Sequence, residues 1–454
     1  MELANYINYA MKSILKNPIL EVLTEINILK ILKQSNFVKR DIGYPPFQII
    51  LHFLYMLVMQ KRQSTFIKKS DRSFGKDAYY RFIKESRYNW RKFLLLSSTA
   101  LLQKIKTLHK DGEYKLLIID DTVEAKRGKF IEGSCKYIWS NKEHRSINAL
   151  NIVSLNYADS HSTFQLDFSI KMNDSKRKET SEFTTKLHHR SNAYKRKSEI
   201  TQGKNTLAIE MLERALDGGI EADYLLVDSW YAKPNFIKQA NDLGMPIIAR
   251  LPNNKLIWNF KGKHKTLNSI YDNLKKYRHK YSGKHGKISY KYFDAIIEHA
   301  VLGKVKLVFL HTGKNLLVFI STDISLAGKE ILLTYKKRWN IEQGYKDLRN
   351  LFGLGKEENR IYESLIAKIT LSMFAYNIVS YINRIKHEPQ TLGELFRDLE
   401  CELETLAISM QLFIQILTKI SEIQNVVKDN KDLLQIIALL SAYTQKELGF
   451  MCES

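Results

Sequence analysis

Cysteine is scarce. The 454-residue chain has three (Cys135, Cys401 and Cys452), none near another, which excludes a disulfide framework and a cysteine-rich zinc site. The first residues carry no basic segment leading into an apolar run, so no signal peptide is expected. Long apolar runs are missing too: the most apolar stretches, 47–59 and 365–381, are short or interrupted by His52, Lys368 and Asn377. They fall below the ~20 uninterrupted residues of a membrane-spanning helix. No fixed-period repeat occurs, which excludes a solenoid, and no Walker-type phosphate loop occurs, which argues against ATP-driven work. Acids are outnumbered, with 48 Asp and Glu against 71 Lys and Arg, a net charge of +23. What is present is 44% hydrophobic and 11% aromatic residues, enough for folded cores. The length predicts about three domains. A reducing compartment, cytoplasmic and away from membranes, is expected.

An excess of positive charge this large points to a polyanionic partner, nucleic acid before a membrane surface. It is unevenly placed. Residues 255–292 hold eleven Lys and Arg against the single acid Asp272, interleaved with Tyr271, Tyr277, Tyr281, Tyr290 and Tyr292. Lysines neutralise phosphates and aromatic faces stack on unpaired bases, so Lys275, Lys276, Arg278 and Lys280 are candidate DNA contacts. A second basic stretch includes Lys176-Arg177-Lys178. Residues 401–454 carry more acids than bases and fit packing or self-association better than DNA contact.

The pattern along the chain predicts an α/β fold with helical flanks. Residues 1–106 read as helical, including a basic, aromatic helix at 76–84 that either enters a DNA groove or packs on its neighbours. Apolar runs at 116–119, 147–157, 164–170, 224–227 and 246–251 read as strands, with helices at 205–216 and 234–243 between the last three. That order indicates a layered α/β domain with a mixed sheet. Two more strands are expected at 305–310 and 316–320. One long helix is expected from about 326 to 351, and a helical remainder with a joint near His387 to Pro389. The vicinal His188-His189 lacks a partner at ligand spacing and reads as solvated or phosphate-facing.

Three acidic positions stand out. The apolar run 116–119 leads into Asp120-Asp121-Thr122, and the run 224–227 leads into Asp228; functional groups in open α/β sheets gather at such carboxyl ends. Successive strand side chains point to opposite faces, so only one of Asp120 and Asp121 aims at a given site, and the apolar pattern leaves the choice open. Glu342 lies on the predicted long helix, where ~100° per residue brings Tyr335, Arg338, Glu342 and Arg349 to one face. Carboxylates on rigid elements are what two-metal phosphodiester cleavage needs. Oxygen ligands suit Mg2+, or Mn2+, over zinc, and the two arginines suit phosphate oxygens.

Asp120-Asp121-Thr122, Val227-Asp228-Ser229-Trp230-Tyr231 and the spaced set Tyr335, Arg338, Glu342, Arg349 resemble bacterial insertion-sequence transposases of the DDE type with a Tyr-Arg-Glu-Lys helix signature. The resemblance runs from about residue 116 to 362. It implies a ribonuclease-H-like mixed-sheet core (112–251 and 324–360) interrupted by a β-rich basic insertion (252–323). The flanks would be a helical DNA-binding region (1–106) and a C-terminal helical region (361–454). It implies Asp121, directly before Thr122, as the first metal ligand rather than Asp120, with Asp228 and Glu342 as the other two. Tyr335 and Arg338 would contact end phosphates. Arg349 stands where the signature has Lys, keeping the charge but not the compact ammonium. Trp258, in the insertion, is either a core residue or a base-stacking one.

The implied activity is Mg2+-dependent cleavage of double-stranded DNA at terminal inverted repeats, then joining of the 3′-hydroxyl ends to target DNA, by a homodimer in the cytoplasm at the nucleoid. The rivals are a two-metal nuclease or resolvase that cuts without joining, and a non-catalytic DNA-binding regulator.

Overall fold

The computed structural model describes residues 17–39, 43–61, 75–128, 130–140, 143–172, 187–252, 257–260, 262–278, 281–285, 288–312, 315–356, 359–386 and 390–404. Lys176-Arg177-Lys178, the expected joint at 387–389 and the end of the chain from 405 lie outside them. The chain divides into two compact units. One comprises Met1–Phe93, Ser191–Ala193 and Asp347–Ser454, the other Leu94–Arg190 and Tyr194–Lys346.

The first unit is helical among its described residues. Pro18–Glu25 begins with Pro18 in its first turn, and the Asn17 side chain accepts the Leu20 N–H at 3.2 Å, closing one of the open donors of a helix start. The apolar helix Pro46–Val58 and the helix Lys76–Ile83 pack against Tyr362–Ile385. Lys76–Ile83 turns Tyr79, Phe82 and Ile83 inward, so its aromatic face is core. The Tyr362–Ile385 helix is long and apolar enough to cross a membrane, but 94% of its most apolar window is buried inside the protein. It is a core helix, with Phe374 packed edge-on to Phe93 at 4.8 Å.

The second unit is built on one twelve-stranded mixed sheet. Its first part contains β1 (Leu116–Ala125), β2 (Cys135–Ser140), β3 (Arg145–Ala158), β4 (Thr163–Lys171), β5 (Tyr224–Val227) and β6 (Ile247–Leu251). β3 runs antiparallel to β1 and β4, while β5 and β6 continue parallel to β1. The lateral order β4-β3-β1-β5-β6 is a mixed α/β arrangement consistent with the expected ribonuclease-H-like core. Leu116 to Ile119 and Leu225 to Val227 are fully buried, as strands covered on both faces require. The covering helices Lys204–Asp217 and Pro234–Asp242 follow the expected pattern. The first ends at Gly218-Gly219, where Gly219 takes a φ of +79° that a side chain would strain.

The remaining strands, β7 (Ile257–Phe260), β8 (Lys263–Thr266), β9 (Tyr281–His285), β10 (Ile288–His299), β11 (Gly303–Thr312) and β12 (Asn315–Ser321), extend the same sheet. β12 joins β6 antiparallel through Val318↔Leu251 to Ser321↔Ile248.

Three features depart from the sequence pattern. β1 does not stop at Ile119. Pairing with β3 carries it to Ala125, opposite Ala149, so Asp120 and Asp121 lie within the strand. β2, which the sequence pattern did not bring out, pairs with the start of β3 across an irregularity between Cys135 and Ile138. The expected single long helix is two, Gly328–Lys336 and Trp339–Asn350. Between them the Lys337 N–H bonds Thr334 O at 3.0 Å and the Arg338 N–H bonds Tyr335 O at 2.9 Å, the tight i→i−3 pattern of a helix end. No proline or glycine stands there; the joint falls on Arg338, whose side chain a distant aspartate holds.

Ile118 is fully buried between β3 and β5. Ile118→Ala should lower the stability of this unit by about 2–5 kcal/mol, read as a shift in the midpoint of urea unfolding.

Candidate active site

The last parallel pair between β1 and β5 is Ile119↔Val227, so Asp120, within β1, and Asp228, just past the end of β5, lie at the same level. Strand alternation then sends Asp120 and Asp121 to opposite faces, and their partners differ accordingly.

On the Asp120 face lies the second of the two helices. Arg338 Nη1 donates to Asp120 Oδ2 at 2.8 Å, and Arg338 Nη2 donates to Glu342 Oε1. The three side chains are 15%, 16% and 33% exposed. The Tyr345 hydroxyl, one turn beyond Glu342, donates to the Asp120 carbonyl at 3.0 Å and lies 2.7 Å from the Ser154 hydroxyl. Ser154 is the β3 residue opposite Asp120, so the helix is fixed to both strands. Asp120 Oδ1 also accepts the Asp121 N–H at 2.8 Å.

The Asp121 face is different. Asp121 Oδ2 pairs with Lys204 Nζ at 2.6 Å, and its Oδ1 accepts the Tyr231 hydroxyl at 3.3 Å. The Asn151 amide, turned as this network requires, donates to Asp121 Oδ2 at 3.2 Å and accepts from Lys204 at 3.3 Å. Asp228 Oδ1 accepts the N–H groups of Trp230 and Tyr231 at 2.9 and 3.3 Å, pinning the turn that follows β5.

Electrostatics separates the groups further. Burial pushes the Asp120 carboxyl up to about 7 against the pull of Arg338 and the Asp121 N–H, with the charges of Asp228 and Asp121 adding to the rise. Burial, then the charges of Asp121 and Asp120, holds the Tyr231 phenol well above its usual range, so it stays a neutral donor. Burial and the Asp228 charge push Tyr335 up to about 12, opposed by Arg338 and Arg250. Its ring packs edge-on to Phe319 of β12 at 4.9 Å.

The structure therefore brings Asp120, Asp228, Tyr335, Arg338 and Glu342 together. The resemblance favours Asp121 as the first acid, but Asp121 points to the other side of β1, toward Lys204, because adjacent strand residues cannot share a face. Arg349 is on the last turn of its helix and belongs to the first unit. Lys275 pairs locally with Asp272 at 2.7 Å, both exposed. The side chains of Lys276 and Arg278, on the helix Leu267–Arg278, lie outside the described set, as does Lys280 entirely. Tyr271 stacks on Phe293 and His311, and Tyr292 is buried, so these two tyrosines are packing residues. Trp258 is buried, 4.7 Å from the His299 ring, and is a core residue.

Sequence reasoning did not find Lys204, Asn151, Ser154 or Tyr345. Of these only Tyr345 carries a signal, three residues past Glu342 on one helix face.

The donor set tests the expected cation. Among the described residues no three acids or histidines are spaced to hold an ion as they stand, and the Arg338 guanidinium lies between Asp120 and Glu342. The chemistry fits nonetheless: Asp120, Asp228 and Glu342 offer only hard oxygen.

A mixed α/β sheet with acids at one level on adjacent parallel strands, joined by a helix-borne glutamate, is a class of site suited to phosphodiester cleavage. Consistent with that class, residues 51–269, just under half of the chain, match the family described as DDE superfamily endonuclease. The match supports a DNA-cleaving nuclease or transposase of DDE type. It includes Asp120, Asp121 and Asp228 and ends before Tyr335, Arg338 and Glu342. No curated protein matches the chain.

A carboxyl raised by folding binds its proton more tightly in the folded state, so it lowers stability as pH climbs from its unfolded value toward 7 and above. In chelator, Asp120→Asn should therefore melt above wild type at pH 8, with the gap closing toward pH 4. A gap that is constant with pH would show that burial does not raise this carboxyl.

Proposed function

We propose that the chain is a transposase that binds the terminal inverted repeats of its own element. It would cut the DNA there and join the freed 3′-hydroxyls to target DNA. The observation that carries this reading is the Asp120–Arg338–Glu342 bridge beside Asp228, in a chain whose residues 51–269 match DDE superfamily endonucleases.

In this reading Asp120, Asp228 and Glu342 hold Mg2+ or Mn2+. Bound there, such cations would supply activation of the attacking water or 3′-hydroxyl and stabilisation of the leaving oxygen. The protein's part is positional. β1 and β5 fix two carboxylates at one level. Tyr345, bonded to the Asp120 carbonyl, fixes the helix that carries the third. Arg338 neutralises two of these acids before DNA arrives, and its guanidinium suits a phosphate once they have a better partner. Tyr335, neutral and three residues before Arg338, offers a hydroxyl to the same phosphate. The chain would act on double-stranded DNA ends as a homodimer, in the cytoplasm at the nucleoid, with the basic segment 252–323 and the helical region 1–106 adding backbone contacts.

Supercoiled plasmid nicking in Mg2+ checks the acids. Asp120→Asn, Asp228→Asn and Glu342→Gln should each cut at least about 1000-fold more slowly, whereas Asp121→Asn should stay within about tenfold. If Asp121→Asn is as inactive as Asp228→Asn while Asp120→Asn cuts normally, the first acid is Asp121.

Joining is checked separately. Pre-cleaved element ends incubated with a supercoiled target should give strand-transfer product. Cutting without that product would make the chain a nuclease or resolvase, and end binding with no Mg2+-dependent nicking by the wild type would make it a DNA-binding regulator.

A further inference from the structure

A second cluster of ionisable groups gathers at the start of β1, where Leu116 pairs with Ala158. Asp159, just past the end of β3, is fully buried. Its Oδ1 accepts the N–H groups of His161 and Ser162 at 2.8 and 2.6 Å and the Ser162 hydroxyl at 2.9 Å, which closes the turn 159–162. Its Oδ2 faces His109 Nε2 at 3.2 Å. The Tyr157 hydroxyl lies 2.9 Å from the same nitrogen, and His109 Nδ1 lies 3.2 Å from the Lys106 carbonyl oxygen. Lys106 and Lys115 both pair with Glu221, at 2.9 and 3.5 Å. Glu113 accepts the N–H groups of Ser160 and Lys110 at 2.8 and 3.3 Å and stands 4.0 Å from His161 Nε2. From this turn, contact runs on to the helix break: Lys337 Nζ donates to Ser160 Oγ at 3.1 Å, one residue before Arg338.

This geometry asks for a charged imidazole. A carbonyl oxygen can only accept, so Nδ1 carries a proton; Asp159, whose other oxygen takes three donors, accepts at Oδ2, so Nε2 carries one too. With both nitrogens engaged, His109 is neither a free base nor a metal ligand. Its side chain is 12% exposed and borders a cavity of about 100 Å3 lined also by Thr99, Gln103, Lys106, Lys115 and Glu221, which gives water a path to the ring. We propose that His109 is a proton-operated clamp: doubly protonated, it holds Asp159 and the turn 159–162 under Lys337, and on losing one proton it releases them. A neutral ring keeping its Nδ1–H turns a lone pair toward Asp159 Oδ2. The buried carboxylate then has to reach water or take up a proton. Either change weakens the Oδ1 bonds that close the turn, and Lys337 loses its anchor beside Arg338. The clamp stands without the nuclease reading; only its consequence for cutting rests on that reading.

The test is amide hydrogen exchange on the full chain in chelator at about pH 5.5 and about pH 8.5, either side of an ordinary histidine. Protection is read relative to an unstructured peptide at the same pH. In wild type the N–H groups of His161 and Ser162 should lose about tenfold or more in protection across this step. In His109→Gln they should be as weakly protected at the lower pH as wild type is at the higher, with less than about a twofold step. Any step that Asp120 contributes in this interval is present in both chains and cancels in the comparison. Asp159→Asn should also remove the step, and His161→Gln should keep it, which separates His109 from the exposed histidine of the turn. The first amides of the Trp339–Asn350 helix should follow the turn in wild type and stop following it in Lys337→Gln.

Protection that stays constant with pH in wild type overturns the clamp, as does a step of equal size in wild type and His109→Gln. A His109→Gln chain less protected by one factor at both pH values gives His109 a packing role and overturns it too. If His109→Gln does not fold, the isosteric Asp159→Asn carries the same comparison. A helix start that keeps following the turn in Lys337→Gln overturns the link to Arg338. Plasmid nicking in Mg2+ is scored apart: a wild type that shows the step but does not nick keeps the clamp and loses the nuclease reading, and one that nicks without the step does the reverse.

Discussion

One guanidinium joins the ends of the candidate active site. Arg338 bonds Asp120 across 218 residues of sequence and Glu342 one turn along its own helix. Two carboxylates and a strand-end aspartate brought this close repel one another and lose water. The arrangement requires a cation, and Arg338 supplies one. Several other features follow. The helix breaks at Arg338, where its side chain turns to β1. Tyr345 and Ser154 then lock the second helix against Asp120 and β3. The family of contacts is short-range and polar, so small changes at β1 reach Glu342 directly.

The same strand gives two neighbouring aspartates unrelated work. Asp120 faces the glutamate helix, and burial keeps its carboxyl near neutrality; Asp121 faces the start of another helix and is already paired with Lys204. Chemical identity does not separate them, since both are aspartates adjacent in the chain. The pleat does. A side-chain period of two converts a one-residue step into a change of face, and with it a change from a site short of positive charge to one already neutralised.

Much of this was legible in the sequence. The runs 116–119 and 224–227 gave the two central parallel strands, and the acids after them gave the level at which the site sits. The helices at 205–216 and 234–243 were marked by apolar spacing and by the glycines that end them. What was not legible has physical causes. β1 is buried on both faces, so its apolar pattern has no polar side to tell Asp120 from Asp121. Its extension to Ala125 depends on β3, a partner over twenty residues away. The break at Arg338 is driven by a tertiary ion pair that local propensity does not contain. Lys204 contradicts the local rule for a helix start, and such contradictions become readable only once the compensating group is known.

Charge also orders events at the site. The chain as a whole carries +23 and attracts a polyanion from a distance, but the Asp120, Asp228 and Glu342 cluster is a patch of the opposite sign. A phosphodiester drawn in by the surface would be repelled at the point where it must be cut. Arg338 relieves part of that repulsion, while burial still raises the Asp120 carboxyl to about 7 beside it. In the proposed reading, a divalent cation held by these acids would offset that charge and leave Arg338 for the phosphate. Attraction at the cutting point would then depend on the metal, while the basic surface would attract DNA without it.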